Sequence, residues 1–328
     1  MKRLFTGAIV VFLLVSVISV GLATATNAPL ENTNSDASVD RQDAPIRVGS
    51  KQFTEQIVLG QLIVVALTDA GFDVEDLTNL GSTNVNRESL LNAEIDVYPE
   101  YNGTAITNYF NDFDWIEIPD GTAGNAYLSY ALVSTYDAAI NDLIWLRPFP
   151  ANNTYALAIK TDFAEANGIF SAQDLADFVN DGGEVHLSTG DEFAQRPDGL
   201  AAFEDTYGFD LTEDQMTIIA GGTPAQTSRA LNEDEASIAM VYGTDGALLT
   251  YDFVVLTDEL GAQPVYQAAP VFRGDVIRAN PEIAGILNPI FGLLDNDTMQ
   301  ELNARVEVQG KDAAAVAEDF LRTNGFIE

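Results

Sequence analysis

The chain has 328 residues, enough for two domains of ordinary size, and 47% of them are hydrophobic, so it can bury a substantial core. The 50 acidic residues against 15 basic ones give a formal net charge of −35, which argues against nucleic acid as a partner because phosphates require a basic surface. This charge is typical of a protein kept soluble at high salt, and an acidic docking face is the alternative. Cysteine is absent, which excludes disulfides and thiolate chemistry.

The N-terminus has the pattern of an export signal or a membrane anchor. Lys2 and Arg3 precede an apolar run, and small residues surround Ala25, so residues 1–25 are predicted to be a signal peptide cleaved after Ala25. The apolar run is also just long enough for an uncleaved anchor, which needs roughly 20 residues. Both interpretations predict an extracytoplasmic protein. Residues 26–45 are small and polar, which predicts a flexible linker.

Predicted strands and helices alternate in the first part of the folded region. Residues 46–48 alternate like a strand, and a helix begins at Thr54 and ends at Gly71, the usual position of a C-terminal glycine. Further elements are predicted at residues 74–77 (strand), 85–91 (helix) and 95–98 (strand). This alternation is typical of an α/β lobe with a largely parallel sheet.

The same alternation resumes after residue 148. Strands are predicted at residues 155–159, 185–188, 216–220 and 238–241, with helices between them. Ser171 is a typical cap for one of these helices. From residue 283 onward the pattern is helical, in two or three segments. The second half therefore predicts another α/β lobe followed by a helical C-terminus.

The motifs of secreted enzymes are missing from this sequence. It contains no G-x-S-x-G, H-E-x-x-H, Walker or dinucleotide glycine pattern. The single histidine, His186, cannot be both a base and a metal ligand, and a structural role in its strand is favoured. Acidic pairs are too frequent here to indicate glycosidase chemistry. We therefore expect a protein that is not an enzyme and that uses no cofactor and no metal.

Four segments combine tyrosines or rare cations with turns at strand ends, where open α/β sheets bind ligands. The first, GSKQFTEQ over residues 49–56, places Lys51 at a strand-to-helix junction, where helix N–H groups favour an anion. The second is YPEYNGTA over residues 98–105. The third is NNTY over residues 152–155, followed by DEFAQRPDGL over 191–200, and the fourth is YGTD over 242–245, followed by QPVY over 263–266.

These segments resemble the motifs of the glycine betaine/carnitine/choline-binding proteins of osmoprotectant ABC transporters, the ProX/OpuC-like family. The resemblance covers residues 46–328. It implies an α/β periplasmic-binding-protein fold of type II, with two lobes, a two-strand hinge and a ligand cleft between the lobes. We expect lobe 1 to contain residues 46–150 and 254–328 and lobe 2 to contain residues 151–253. The chain crossings are then expected near residues 147–148 and 251–252.

The resemblance also implies which residues contact the ligand. Tyrosines of the family surround a trimethylammonium group, and a lysine, a threonine and an arginine bind a carboxylate. By motif position, these residues are Tyr101, Tyr155, Tyr242 and Tyr266 for the cage, and Lys51, Thr104 and Arg196 for the carboxylate.

The chemistry of these residue types agrees with such a ligand. A quaternary ammonium has no N–H to donate, but its diffuse charge suits aromatic faces, and a carboxylate suits cationic donors. We expect a glycine betaine binder, with a choline- or carnitine-preferring binder as the alternative and a secreted enzyme as the rival class. The expected partners are a membrane ABC permease and its ATPase, and the protein is expected to be monomeric.

Overall fold

The computed structural model describes residues 44–110, 118–119 and 121–328; the predicted signal or anchor over residues 1–25 lies outside them, as does nearly all of the predicted linker. The described residues form two α/β lobes, each built on a five-stranded sheet. The first sheet contains β1 (Ile46–Lys51), β2 (Val74–Gly81), β3 (Val97–Tyr101), β4 (Leu143–Trp145) and β10 (Ala268–Arg273). The second contains β5 (Tyr155–Lys160), β6 (Leu187–Gly190), β7 (Met216–Ile219), β8 (Ile238–Tyr242) and β9 (Phe253–Val255).

Helices pack on both sheets. Those of the first lobe are α1 (Thr54–Asp69), α2 (Thr83–Leu91), α3 (Asn102–Thr104) with a π-helical turn at Ala105–Phe110, α4 (Ala126–Asn141), α10 (Gly274–Ala279), α11 (Ile283–Phe291), α12 (Asn296–Glu307) and α13 (Ala313–Thr323). Those of the second lobe are α5 (Thr161–Asn167), α6 (Ala172–Asn180), α7 (Asp191–Gln195), α8 (Leu200–Tyr207) and α9 (Pro224–Asn232). Among the helices in the described part of the chain, none combines the length and the apolar composition needed to cross a bilayer.

Local sequence signals position several of these elements. The helix predicted from Thr54 is α1, and Gly71 follows its end with a φ of 93°, a left-handed conformation that favours glycine. Because α1 is apolar on nearly all sides, it is buried between β1 and β2 and the helices α12 and α13. Ser171 caps α6 as predicted, since its side chain accepts a hydrogen bond from the backbone N–H of Asp174 at 3.0 Å.

Each sheet is largely parallel, with one antiparallel strand. The first has the order β2-β1-β3-β10-β4, in which β10 is antiparallel to its neighbours β3 and β4. The second has the order β7-β6-β8-β5-β9, in which β5 is antiparallel to its neighbours β8 and β9. Both antiparallel strands are the first to follow a crossing between the lobes. The sequence predicted the parallel part and the strand β5, but neither the strand β10 nor the reversed direction of either strand.

This topology brings tyrosines to one edge of each sheet. An antiparallel strand begins where its parallel neighbour ends, so Tyr155, the first residue of β5, pairs with Tyr242, the last residue of β8. In the first sheet, Tyr101, the last residue of β3, pairs with Ala268, the first residue of β10. Tyr266 precedes β10 by two residues. The tyrosines named by sequence motifs therefore lie where the sheets meet.

The two chain crossings run side by side. The first lies between β4 and β5 and the second between β9 and β10. They are joined where the Asn153 N–H donates to the Tyr266 carbonyl at 2.9 Å and the Phe149 N–H donates to the Ala268 carbonyl at 2.8 Å.

One predicted crossing is misplaced. We expected the second near residues 251–252, with lobe 2 ending at residue 253, but the strand Phe253–Val255 still pairs with β5. The apolar run over these three residues completes the second sheet before the chain leaves it, so the crossing lies between Val255 and Ala268.

A buried ion pair connects α2 to α4 in the first lobe. The Arg87 guanidinium donates to both carboxylate oxygens of Asp137, at 3.0 and 2.6 Å, and both side chains are buried. Asp137 also accepts from the Trp145 indole N–H at 2.7 Å, and the Arg87 guanidinium carbon lies 4.4 Å from the centroid of the Tyr109 ring. Removing only one partner would leave an uncompensated buried charge.

Arg87→Met is therefore expected to lower the free energy of unfolding by about 3–5 kcal/mol. The matched control is Arg278→Met, which breaks the exposed pair between Arg278 and Asp142 and should change stability little. Urea unfolding followed by circular dichroism measures both variants. Equal stability of the two variants would contradict a structural role for the buried pair.

Candidate functional site

The seven residues predicted to contact a ligand all line one cavity between the lobes. The seven are Lys51, Tyr101, Thr104, Tyr155, Arg196, Tyr242 and Tyr266. Four further lining residues were not among the predicted ones, namely Phe53, Thr83, Asn153 and Glu192.

Five aromatic side chains form a closed ring in this cavity. Going around the ring, the neighbouring centroids are 6.5 Å apart for Tyr101 and Tyr266, 5.8 Å for Tyr266 and Tyr155, and 5.1 Å for Tyr155 and Tyr242. Phe53 closes it, at 5.3 Å from Tyr242 and 6.3 Å from Tyr101. Each of the five rings therefore contacts two others of the set at the centroid distances typical of packed aromatic pairs.

Hydrogen bonds fix the orientation of two of these rings. The Tyr101 hydroxyl donates to Glu55 at 2.7 Å and accepts from the Asn153 amide at 3.1 Å, and the Tyr266 hydroxyl donates to Asp198 at 2.5 Å. Burial raises the pKa of Tyr101 and Tyr266 well above the ordinary tyrosine value.

The same cause acts on the other two tyrosines of the ring. Burial raises the pKa of Tyr155 to about 12 and that of Tyr242 well above its ordinary value. All four phenols are therefore neutral at physiological pH. The ring attracts a cation through the electron-rich faces of its aromatic groups rather than through a phenolate.

Lys51 is buried at the end of β1 and is already paired. Its ammonium donates to Glu100 at 2.7 Å and lies 5.2 Å from the centroid of the Tyr101 ring. Glu100 is fully buried and also accepts hydrogen bonds from the hydroxyls of Tyr98 and Tyr109, at 2.8 and 2.6 Å. The lysine keeps two further N–H donors, since an ammonium has three.

Arg196, at the end of α7, is also paired. Its Nε and Nη2 donate to the two oxygens of Asp198, at 2.8 and 2.5 Å, in a bidentate arrangement. Burial alone would raise the pKa of Asp198, but hydrogen bonds and the positive charge of Arg196 hold it below its usual value. Asp198 further accepts from Thr107 at 2.7 Å. The guanidinium carbon lies 5.6 Å from the Tyr155 ring centroid.

The lobes make direct contact around the cavity, which is therefore in a closed arrangement. Thr83 of the first lobe donates to Glu192 of the second through its backbone N–H at 3.1 Å and its hydroxyl at 3.0 Å. Asn303 of the first lobe donates to the Thr244 carbonyl of the second at 2.8 Å. The site residues Lys51, Tyr101 and Thr104 lie on the first lobe and Tyr155, Arg196 and Tyr242 on the second. In the part of the chain that the structure describes, no group of three His, Cys, Asp or Glu side chains could hold a metal ion.

Two α/β lobes, joined by paired crossings and closed over a small aromatic cavity, define a substrate-binding protein of the periplasmic-binding-protein type. Residues 44–323 match the family described as the substrate binding domain of the ABC-type glycine betaine transport system, and the chain belongs to this family. Members of the family are transport binding proteins, which confirms the prediction that the chain is not an enzyme.

Sequence and structure comparisons agree with this assignment. The chain is 40% identical to the glycine betaine-binding protein YehZ of Escherichia coli over 87% of this chain and 92% of that protein. The apo structure of YehZ has a TM-score of 0.65 and covers 86% of this chain. A glycine-betaine-binding protein of Pseudomonas aeruginosa is 37% identical, over 88% of this chain and 90% of that protein. The carnitine transport binding protein OpuCC of Listeria monocytogenes is 26% identical, over 86% and 88% of the two chains. The predicted family and two-lobe α/β fold are confirmed.

Three carboxyl groups meet where the lobes touch behind the aromatic ring. Glu55 is buried in the first turn of α1, Asp245 is buried after β8, and Glu307 ends α12. Thr54 of its own lobe and the Gly246 backbone of the other favour the ionised form of Glu307, but burial outweighs them. Burial raises the pKa of all three, that of Glu307 to about 7.

The raised pKa of Glu307 predicts a pH dependence of stability. The folded chain retains the Glu307 proton up to about pH 7, whereas the ordinary pKa of a glutamate is 4.5. Protonation of Glu307 therefore stabilises the folded state fully below pH 4.5, and this contribution is lost as the pH rises to about 7. Glu307→Gln, which stays neutral, should gain stability over the wild type across this window, by at most about 3 kcal/mol. Urea unfolding from pH 4.5 to 8 measures the difference. The control is Glu301→Gln on the exposed face of the same helix, and a flat difference for Glu307→Gln would contradict the assignment.

Proposed function

We propose that this protein captures glycine betaine, or a closely related quaternary-ammonium osmolyte, and delivers it to an ABC importer. The trimethylammonium group binds at the centre of the aromatic ring formed by Phe53, Tyr101, Tyr155, Tyr242 and Tyr266. The ligand carboxylate binds Lys51, Thr104 and Arg196, which line the same cavity. The closed aromatic ring is the observation on which the proposal rests.

A quaternary ammonium is the cation that suits this ring. It has no N–H and cannot satisfy hydrogen-bond acceptors, so a site for it must offer surfaces rather than polar atoms. Each cation–π contact contributes roughly 0.5–2 kcal/mol, and five such contacts together are comparable with the roughly 8 kcal/mol of a micromolar complex. A primary ammonium would instead lose its hydrogen bonds to water in this cavity.

The carboxylate of the ligand has donors at the edge of the ring. Lys51 retains N–H groups beyond the one that Glu100 accepts, and beyond the pair with Asp198 Arg196 retains its Nη1, which makes only a long contact of 3.4 Å with Glu192. Charge-assisted hydrogen bonds from such donors are roughly twice as strong as neutral ones. Thr104 is buried, lines the same cavity and is the neutral member of the set.

Ligand binding and lobe closure are coupled in this proposal. The ring takes Tyr101 from the first lobe, Tyr155 and Tyr242 from the second and Tyr266 from a crossing, so it is complete only in the closed arrangement. A ligand that contacts both lobes binds the closed form more tightly than the open form, and this difference in affinity stabilises the closed arrangement. The crossings at residues 146–154 and 256–267 would supply the hinge.

The closed, loaded protein would be the form that an ABC permease with its ATPase recognises. Family membership supports this role, as do the similarities to glycine betaine and carnitine transport binding proteins. We place the protein outside the cytoplasm, exported or anchored by residues 1–25, and we propose that it acts as a monomer.

A choline-preferring binder is the second candidate. Both predicted carboxylate-binding cations are already neutralised, Lys51 by Glu100 and Arg196 by Asp198. A ligand that lacks a carboxylate would therefore lose little binding free energy in such a site. The aromatic ring supports both ligands equally, so the charged groups at its edge determine the choice.

Tyr242→Ala is expected to weaken glycine betaine binding about tenfold or more, because it opens the ring and removes one cation–π contact. Tyr242→Phe keeps the aromatic face and should stay within a few-fold of the wild type. The control is Tyr127→Ala, since Tyr127 is 78% exposed on α4, away from the cavity. Isothermal titration calorimetry with glycine betaine measures all four proteins. Equal affinity of Tyr242→Ala and the wild type would place the ligand elsewhere, and no binding by the wild type would refute the proposed function.

A further inference from the structure

Glu192 was not among the predicted site residues, yet its carboxylate lies at the cationic edge of the cavity. Glu192 lies in the first turn of the short helix α7 of the second lobe, four residues before Arg196. Its Oε2 lies 3.4 Å from Arg196 Nη1, and both of its oxygens accept hydrogen bonds from Thr83 of the opposite lobe. The side chain lines the cavity and is 37% exposed, so a ligand in the cavity can reach it.

The contact with Arg196 involves the one guanidinium terminus that a ligand could still use. Nε and Nη2 are engaged with Asp198 in a buried bidentate pair, which leaves Nη1. Nη1 is also the atom nearest to Glu192. A ligand carboxylate that approaches Arg196 must therefore come close to a carboxylate that the protein already holds there.

The charges around the cavity do not cancel. Lys51 is paired with Glu100 and Arg196 with Asp198, so these two cations are neutralised by carboxylates behind the cavity wall. Glu192 is then a third carboxylate facing the same two cations. Together, the three charged residues that line this cavity and the two carboxylates behind its wall, Glu100 and Asp198, carry one net negative charge.

Glu192 also acts on the part of the cavity proposed to hold the ammonium. Its negative charge contributes to the raised pKa of both Tyr155 and Tyr242, two members of the aromatic ring. Conversely, Lys51 and Arg196 favour its ionised form, and its own pKa is lowered although burial opposes this. Glu192 is therefore ionised at neutral pH and within electrostatic range of the ring.

We propose that Glu192 is the specificity-determining residue that sets the charge preference of the site. It attracts the ammonium of any quaternary-ammonium ligand and opposes a ligand carboxylate at Arg196. The inference rests on the proposed function and refines it: the site discriminates a cationic ligand such as choline from a zwitterion such as glycine betaine through this one carboxylate. Because Thr83 holds Glu192 from the opposite lobe, the discrimination operates in the closed arrangement.

The test is Glu192→Gln, with binding of glycine betaine and choline measured by isothermal titration calorimetry on the wild type and the variant. The amide oxygen of Gln can still accept from the Thr83 N–H and its amide can donate to the Thr83 hydroxyl, so lobe closure is preserved. Choline loses a counter-charge, whereas glycine betaine loses an attraction at one end and a repulsion at the other. The ratio of the two dissociation constants, choline over glycine betaine, should rise about tenfold or more.

Glu165→Gln is the matched control, because it removes the same charge from the exposed surface of α5 in the same lobe and should leave the ratio unchanged. An unchanged ratio in Glu192→Gln overturns the inference, whether both affinities stay constant or both fall by the same factor. An equal fall in both affinities would mean that Glu192 only holds the lobes together. These outcomes differ from failure of the proposed function, in which the wild type binds neither compound.

Discussion

The aromatic ring exists only because the two lobes are held against each other, and this constraint connects the fold to the site. Its members come from β3, from the paired ends of β5 and β8, from the crossing before β10 and from the turn after β1. Neither sheet alone could surround a ligand with five aromatic faces. The reversed strand in each sheet supplies the geometry, because an antiparallel strand begins at the edge where its parallel neighbour ends.

Buried carboxylates organise the polar edge of the ring. Glu100 and Asp198 each accept several hydrogen bonds, and each pairs with a cation that would be costly to bury alone. Such pairs contribute little net stability, but they fix where the remaining N–H donors point. They also cancel much of the positive charge that Lys51 and Arg196 would otherwise offer to a ligand. In our proposal, the ligand preference is therefore set by Glu192, the carboxylate that lies beside these neutralised cations.

The residues predicted to bind a ligand all come from sequence motifs. All seven occur in short segments at strand ends, and the structure brings all seven to one cavity. Phe53 lies inside one of those segments, GSKQFTEQ, but nothing local distinguishes it from a core phenylalanine. Thr83 and Glu192 enter the site only by meeting across the closed lobes, and such a contact leaves no trace in either segment. In a chain with 50 acidic residues, composition cannot identify the few carboxylates that pair with buried cations.

The secondary-structure elements that depend on local sequence signals were predicted, whereas those that depend on pairing with distant residues were not. Helix α1 and the cap of α6 depend on neighbours in the sequence, and both were predicted. Strands β4 and β10 pair across more than 120 residues, and neither was predicted. The predicted lobe boundary after residue 253 divided the short strand β9, because its three residues belong to the second sheet only through their pairing with β5.

The central claim is that the ring binds a cation through its aromatic faces, and one comparison tests it directly. Glycine betaine and 3,3-dimethylbutanoate have the same shape and the same carboxylate, but the second has a neutral carbon in place of the nitrogen. Titration of the wild-type protein with both by calorimetry isolates the positive charge. We predict that glycine betaine binds at least about tenfold more tightly. Equal affinity for the two compounds would contradict the account, because the cavity would then recognise shape and carboxylate without using its aromatic ring.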